Sequence, residues 1–391
     1  MYNGMDMSLS SIKIKIYVVL FTLARTVINT SYRMVFPFLP VFARELGVEP
    51  ATLGRTLSIR SFLGVFGPFL ATLADTHDRK TGILLGLGLF TAGSGIVGIW
   101  PTFWAFVLGT SLVLLGNVVF IPSLGAFLGD NVPYKRRGRV LAITELSWSL
   151  AFILGIPFVR FLIDSYSWVT PFFIIAGIGL LFFILFAVLL PANPIAGTQE
   201  NTIWQNLGRI LKSWPALAGL LAGVSFTSAN ETVNLIFGVW IDDQFGLNLT
   251  ALTIASVVIG VSELGGELFS ALWLDVLGKK RVIWIFLGLN SLAALLLPIT
   301  SGLLSWAIVG LGFFYITFEV VLVSSLTLMS EVVPTARATM VAATVAGFSL
   351  GRMLGDLTAP GLYEVSFLLC CLVTVVLNLL AGGLLTQVRV E

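Results

Sequence analysis

One histidine and two cysteines occur in 391 residues, and that scarcity removes several kinds of chemistry at once. Cys370 and Cys371 are adjacent inside an apolar run, so they form neither a CxxC motif nor a disulfide framework. His77 stands alone, and there is no HExxH motif, phosphate loop or metal-ligand cluster; neither a metal nor a cofactor is expected. No Ser or Cys has a histidine in an apolar segment to activate it, so enzymatic chemistry is not expected. Charge is equally scarce. Charged residues make up 11% of the chain, where a soluble domain carries about 25%. A net charge of +2 lacks the basic footprint of a nucleic-acid binder. A cleavable signal peptide is not expected either, because Met1 to Ser11 is polar and the first apolar run exceeds a signal h-region.

What the chain has instead is apolar length. Hydrophobic residues make up 57% of it and the mean hydropathy is +0.99, which describes a polytopic membrane protein. A helix rising 1.5 Å per residue needs about 20 apolar residues to cross about 30 Å of hydrocarbon. Twelve stretches qualify, near 14–42, 51–73, 82–99, 103–128, 140–163, 168–190, 214–240, 250–274, 282–299, 304–329, 338–361 and 365–385. Barrel strands would alternate apolar and polar residues over about 10 positions, and runs such as Ile174 to Leu190 do not. The spacing predicts an all-α membrane protein of twelve transmembrane helices.

Basic residues set the direction of insertion, since cytoplasmic loops accumulate Lys and Arg. Fifteen of the 22 lie at the chain ends or in the loops after even-numbered spans: Lys13, Lys15, Arg79, Lys80, Lys135, Arg136, Arg137, Arg139, Arg209, Lys212, Lys279, Lys280, Arg281, Arg337 and Arg389. The opposite side has Arg44 and Arg55 near its first loop, and then segments such as Trp100-Pro101-Thr102 and Asp242-Asp243 with no basic residue. Both termini are therefore expected in the cytoplasm, with Trp100, Trp104 and Trp168 as anchors at the outer interface.

The chain also repeats itself at an offset of about 200 residues. Asp75 with Arg79 and Lys80 after span two matches Asp275 with Lys279 and Lys280 after span eight. Ser149, Leu150 and Gly155 match Ser349, Leu350 and Gly355. Val132, Pro133 and Arg136 match Val333, Pro334 and Arg337. Asn29, Arg33, Phe36 and Pro37 match Asn230, Asn234, Phe237 and Gly238. Two pseudo-symmetric six-helix bundles follow, residues 1–190 and 214–391, joined by a cytoplasmic linker at 191–213.

Over nearly its whole length the chain resembles the major facilitator superfamily, whose loop motif Gly-x-Leu-Ala-Asp-Arg-x-Gly-Arg-Lys reads here Ala71-Thr72-Leu73-Ala74-Asp75-Thr76-His77-Asp78-Arg79-Lys80. Asp130 and the basic Arg136, Arg137 and Arg139 match that family's partner charges. Within the family it looks most like bacterial twelve-span drug or sugar efflux permeases. It departs from them at Leu112, where an Arg is usual four residues before Gly116, and at Ala151-x-x-x-Gly155-Ile156-Pro157, where the antiporter signature has Gly-x-x-x-Gly-Pro. The resemblance implies secondary-active transport by alternating access in a bacterial inner membrane, as proton-coupled export of a small organic or amphiphilic solute. Proton-linked uptake of an organic anion, translocation of a lipid or lysolipid, and a non-transporting receptor are the competing readings. The expected partners are a solute, protons (or Na+ in their place) and the bilayer, with no nucleic acid, and the chain is expected to act as a monomer.

Two charge patterns invite a mechanism. Asp75, Arg79, Lys80, Asp130, Arg136, Asp275 and Lys279 form a candidate cytoplasmic gate, in which loop charges hold helix ends in one state and release them in another. The plainer reading is that the basic ones only fix topology. The second pattern lies inside the spans, where a charge costs at least ~2.5–3.5 kcal/mol and so marks a site by default. Thr22, Arg25, Asn29 and Arg33 form one stripe along span one; Thr227, Glu231, Asn234 and Gly238 form another along span seven. The candidate solute and coupling cavity comprises Arg25, Asn29, Arg60, Asn117, Glu231, Asn234, Glu263, Glu267, Glu319 and Arg352, with Trp148 as a weaker member. Arg33, Glu145, Arg160 and Asp356 are placed nearer the helix ends, where they could snorkel to water.

Signs divide unequally: residues 1–200 carry 14 basic and 9 acidic residues, and residues 201–391 carry 8 and 11. Basic groups could hold an anionic part of the solute, or pair with carboxylates across the two halves. Glu263 and Glu267, one turn apart, would repel if both were ionised and are the candidate carriers of a coupling proton. Ala343, Gly347, Gly351 and Gly355 at every fourth position give span eleven a flat ridge for close packing, as Gly219 and Gly223 do on span seven.

Overall fold

The structure is a computed structural model, and it describes residues 11–67, 79–191, 200–246, 248–300 and 302–388. Among the described residues the secondary structure is helical and without strands. The first half comprises α1 (Ser11–Arg33), α2 (Leu39–Glu45), α3 (Pro50–Val65), α4 (Arg79–Ile99), α5 (Phe103–Asn131), α6 (Tyr134–Glu145), α7 (Ser147–Leu150), α8 (Ile156–Ser165) and α9 (Thr170–Leu189). A linking helix, α10 (Glu200–Lys212), leads to α11 (Trp214–Asn234), α12 (Phe237–Phe245), α13 (Leu249–Leu277), α14 (Lys279–Thr300), α15 (Leu304–Val332), α16 (Arg337–Val365) and α17 (Phe367–Leu385).

Nine of these stretches are long and apolar enough to cross a membrane, and a tenth forms if α10 and α11–α12, bent by 86°, count as one. The predicted spans two and eleven fall outside that set for different reasons. The described part of span two, α3, is only 16 residues long. Span eleven, α16, is 29 residues long but holds Arg337, Arg352, Asp356 and Glu364. These two pack against each other along their lengths, from Arg55 and Glu364 at one end to Gly64 and Ser349 further in.

Each polar stripe predicted on spans one and seven leads to a break. Pro37 has no N–H to continue a helix and disfavours a helical residue before it, so α1 stops at Arg33 and turns through Met34–Phe38 before α2. The matching break separates α11 from α12 at Leu235–Ile236. The two breaks touch. A Cβ on Gly238 would sit 2.6 Å from the Phe36 carbonyl oxygen and 2.8 Å from that of Pro37, so only glycine lets these backbones meet.

Spans five and eleven, aligned in the repeat, differ in geometry. α16 is continuous, whereas Ala151–Gly155 between α7 and α8 forms a π-turn in which the Ile156 N–H bonds to the Ala151 carbonyl. Pro157 explains it, since it cannot donate and its ring crowds the carbonyl of the preceding turn. The predicted ridge on α16 is real packing: Gly351 lies on Thr227 and Val224, and Gly355 on the Cβ of Glu231. Trp100 and Trp104 are exposed as expected of anchors, but Trp168 is half-buried and packs on Phe42 and Phe172.

Candidate functional site

The breaks and the close helix contacts bring the intramembrane charges together at the join between the halves. Arg33, at the last turn of α1, reaches Glu263 on α13 in a bidentate pair of 2.7 and 2.6 Å, and also donates to the Trp148 carbonyl at 3.0 Å. Both side chains are 4% exposed. The guanidinium is stacked 4.2 Å from the Trp148 ring centre and 3.5 Å from that of Phe152. Two hydrogen bonds and two aromatic faces thus replace the water that this arginine has lost. Arg33, expected near a helix end where it could snorkel to water, is instead buried within the protein against Glu263.

Arg60 and Asp356 form a second centre at the packed face of α3 and α16. Ser61 donates to Asp356 Oδ2 at 2.5 Å across the halves, and Asp356 is fully buried, contrary to the interfacial position expected for it. Asp356 and Glu231 are both buried, and Gly355, next to Asp356, packs against the Cβ of Glu231. Arg60 lies over Tyr32 at 4.3 Å from the ring centre and donates to the Tyr32 carbonyl at 3.2 Å, leaving Nε and Nη2 without partners. Glu231 accepts from Asn234 at 2.9 Å, and Tyr315 donates to Asn234 at 2.6 Å.

Between these centres lies a small cavity with about 30 Å³ of free space, enough for water and far too little for an organic solute. Of the ten cavity residues expected from the sequence, Glu231, Asn234, Glu263, Glu319 and Arg352 line it. The other five do not. Arg25 pairs with Glu145 at 2.6 Å, Asn29 donates to Ser147 at 3.2 Å, and Asn117 is buried within its own bundle. Arg60 lies behind Tyr32, and Glu267 is set to one side on α13. The lining also includes Tyr32, Arg33, Phe36, Asn230, Tyr315 and Phe318, which were not expected there, and Trp148, which was. The neutral members carry no intramembrane charge, and only their spacing from the helix breaks could have singled them out. Glu263 and Glu267 are one turn apart on α13, and Arg33 occupies both oxygens of Glu263.

The loop charges behave as a repeat. Arg79 pairs with Asp130 at 3.3 Å in the first half, and Lys279 pairs with Glu331 in the second. Asp275 adds a looser contact of 3.8 Å to Lys279 and is 90% exposed. Glu331 was not singled out, although it lies 201 positions after Asp130 in the same register as the repeat. Arg136 is exposed, while Asp75 and His77 lie outside the described residues. At the opposite end, Arg44 meets Asp242 at 3.3 Å and Arg55 meets Glu364 at 2.8 Å, both joining one half to the other.

The family model described as Major Facilitator Superfamily matches residues 21–356. The chain belongs to the major facilitator superfamily. Among relatives, the MFS-type transporter YwfA of Bacillus subtilis (strain 168) is 33% identical over 142 residues, 36% of this chain and 34% of that one. A probable sugar efflux transporter of Helicobacter acinonychis (strain Sheeba) is 26% identical over 206 residues, 52% of this chain and 51% of that one. The chain therefore spans about a third and about half of the length of these two relatives. Among solved structures, a D-xylose-proton symporter superposes with a TM-score of 0.77 at 15% identity, covering 93% of this chain and 96% of that one, a likeness of fold. As a member of the superfamily, this protein is a multi-pass membrane transporter of small solutes, and its charged centre lies where its two repeats meet.

Proposed function

We propose that this facilitator is a secondary-active exporter of a small organic solute, driven by protons and working by alternating access in a bacterial inner membrane with both termini in the cytoplasm. The observation that carries the reading is the buried Arg33–Glu263 pair, which joins the two repeats beside the cavity. A pair so fully desolvated contributes little to stability by itself, and its value lies in having a second arrangement to exchange with. Arg44–Asp242, Arg55–Glu364 and the contact at Gly238 then close the outer end, and rocking of the halves would part them together. Proton coupling draws on Asp356, a buried carboxyl of one half that accepts from Ser61 of the other, so that opening this face would expose it to water. Export follows the name of the Helicobacter relative.

Reconstitution into liposomes with an imposed pH gradient tests the reading. Uphill, saturable solute movement that collapses with a protonophore is expected. Flux indifferent to the proton gradient but driven by a sodium gradient would reassign the coupling ion, and flux indifferent to both would overturn coupling altogether.

A further inference from the structure

Two charged side chains of the cavity wall, Glu319 and Arg352, make no hydrogen bond or ion pair among the described residues, and Arg352 also lies within electrostatic reach of Glu231. Glu319 on α15 is 4% exposed, lines the cavity, and makes no hydrogen bond or ion pair among the described residues; its Oε2 is fully buried without a partner. A Cβ built on Gly266 of α13 would fall 2.8 Å from the Glu319 Cβ, so this glycine leaves the room in which the Glu319 side chain packs against α13. Arg352 on α16 is half-buried, lines the same cavity, and likewise has neither hydrogen bond nor ion pair among the described residues. The two lie within electrostatic reach of each other. The other charges facing Glu319 are Glu263, Glu267 and Arg33, and Arg33 is committed to Glu263. A carboxylate ionised without partners in such surroundings is costly, and a cation brought into the cavity would offset that cost.

We propose that the transported solute is a zwitterion, an ammonium and a carboxylate carried on an apolar body, with its ammonium on Glu319 and its carboxylate on Arg352. The aromatic walls contributed by Tyr32, Phe36, Trp148, Tyr315 and Phe318 would take the apolar part once the halves part enough to admit it. A neutral sugar would leave both charges desolvated and unpaired, and a simple cation or anion would satisfy only one. The inference rests on the transporter reading and names the solute class for that same cavity.

The test uses the purified full chain and three ligands with the same phenyl body. L-phenylalanine carries both charges near neutral pH, phenethylamine only the ammonium, and 3-phenylpropionate only the carboxylate. Calorimetry on the unaltered protein should show L-phenylalanine binding at least tenfold more tightly than either analogue. Glu319→Gln should remove the advantage over 3-phenylpropionate, Arg352→Gln the advantage over phenethylamine, and each variant should keep the other preference. Either analogue binding as tightly as L-phenylalanine to the unaltered protein overturns the inference, with no variant needed. If none of the three binds while D-xylose shows saturable flux in liposomes, the zwitterion assignment fails and the export reading stands. If no solute shows saturable flux, the export reading fails as well.

Discussion

Arg33–Glu263 and Arg79–Asp130 are both arginine–carboxylate pairs, yet they belong to different physical regimes. The first is bidentate, with both side chains 4% exposed, and it crosses between the halves. The second includes an Nε–Oδ2 contact of 3.3 Å, has side-chain exposures of 23% and 53%, and lies within one half. In water a pair of the second kind contributes about 0–1 kcal/mol, because solvent and salt screen it and two long side chains must be ordered. In the first, desolvation and attraction are both large and nearly cancel, so removing one partner exposes the whole penalty on the other. The central pair is therefore strongly constrained yet gives little net stability, while the loop pair is weakly constrained and repeated as Lys279–Glu331. That contrast separates a contact suited to switching from contacts suited to biasing helix ends.

The sharpest way to break the comparison is to remove half of the central pair. Glu263→Ala should destabilise the folded protein by about 3–5 kcal/mol and abolish transport, whereas Arg33→Leu with Glu263→Leu should recover most of the stability without recovering flux. Thermal unfolding in detergent and liposome flux, measured side by side, decide it; a double variant that transports normally would make the pair merely structural. Asp356→Asn ranks next. It should suppress proton-driven accumulation at least tenfold while sparing exchange of labelled for unlabelled solute, because exchange needs no net proton movement. The smallest effect belongs to the loop pairs. Arg79→Ala and Lys279→Ala should each cost about 1 kcal/mol or less and alter flux only a few-fold. A loss as large as that of Glu263→Ala would erase the distinction between the two regimes.

Much of this protein was legible before any coordinates. Low charge and long apolar runs carry the helical class, because these depend on local composition that sequence displays directly. The loop pairs were half-legible: Asp130 and Lys279 stood out, but Glu331 did not, since a single carboxylate at a helix end looks like ordinary surface. Burial was misread at Arg33 and Asp356. Both were expected near helix ends where they could reach water, yet each is buried against a partner from the other half, Glu263 and Ser61. Position along one helix does not show what a second helix covers.

What the sequence determined by itself is the solvent this protein requires, its repeat and the residue types that must find partners away from lipid, since burial of a charge is costly whatever its neighbours. Which charges pair was decided only by tertiary structure. Arg33 meets Glu263 from 230 positions away and Ser61 meets Asp356 from 295, and contacts at such separations follow from how two bundles dock rather than from any local spacing. The same docking leaves Glu319 and Arg352 at the cavity without a hydrogen bond or ion pair among the described residues, because Arg33 and Glu263 are already engaged with each other across the join between the halves.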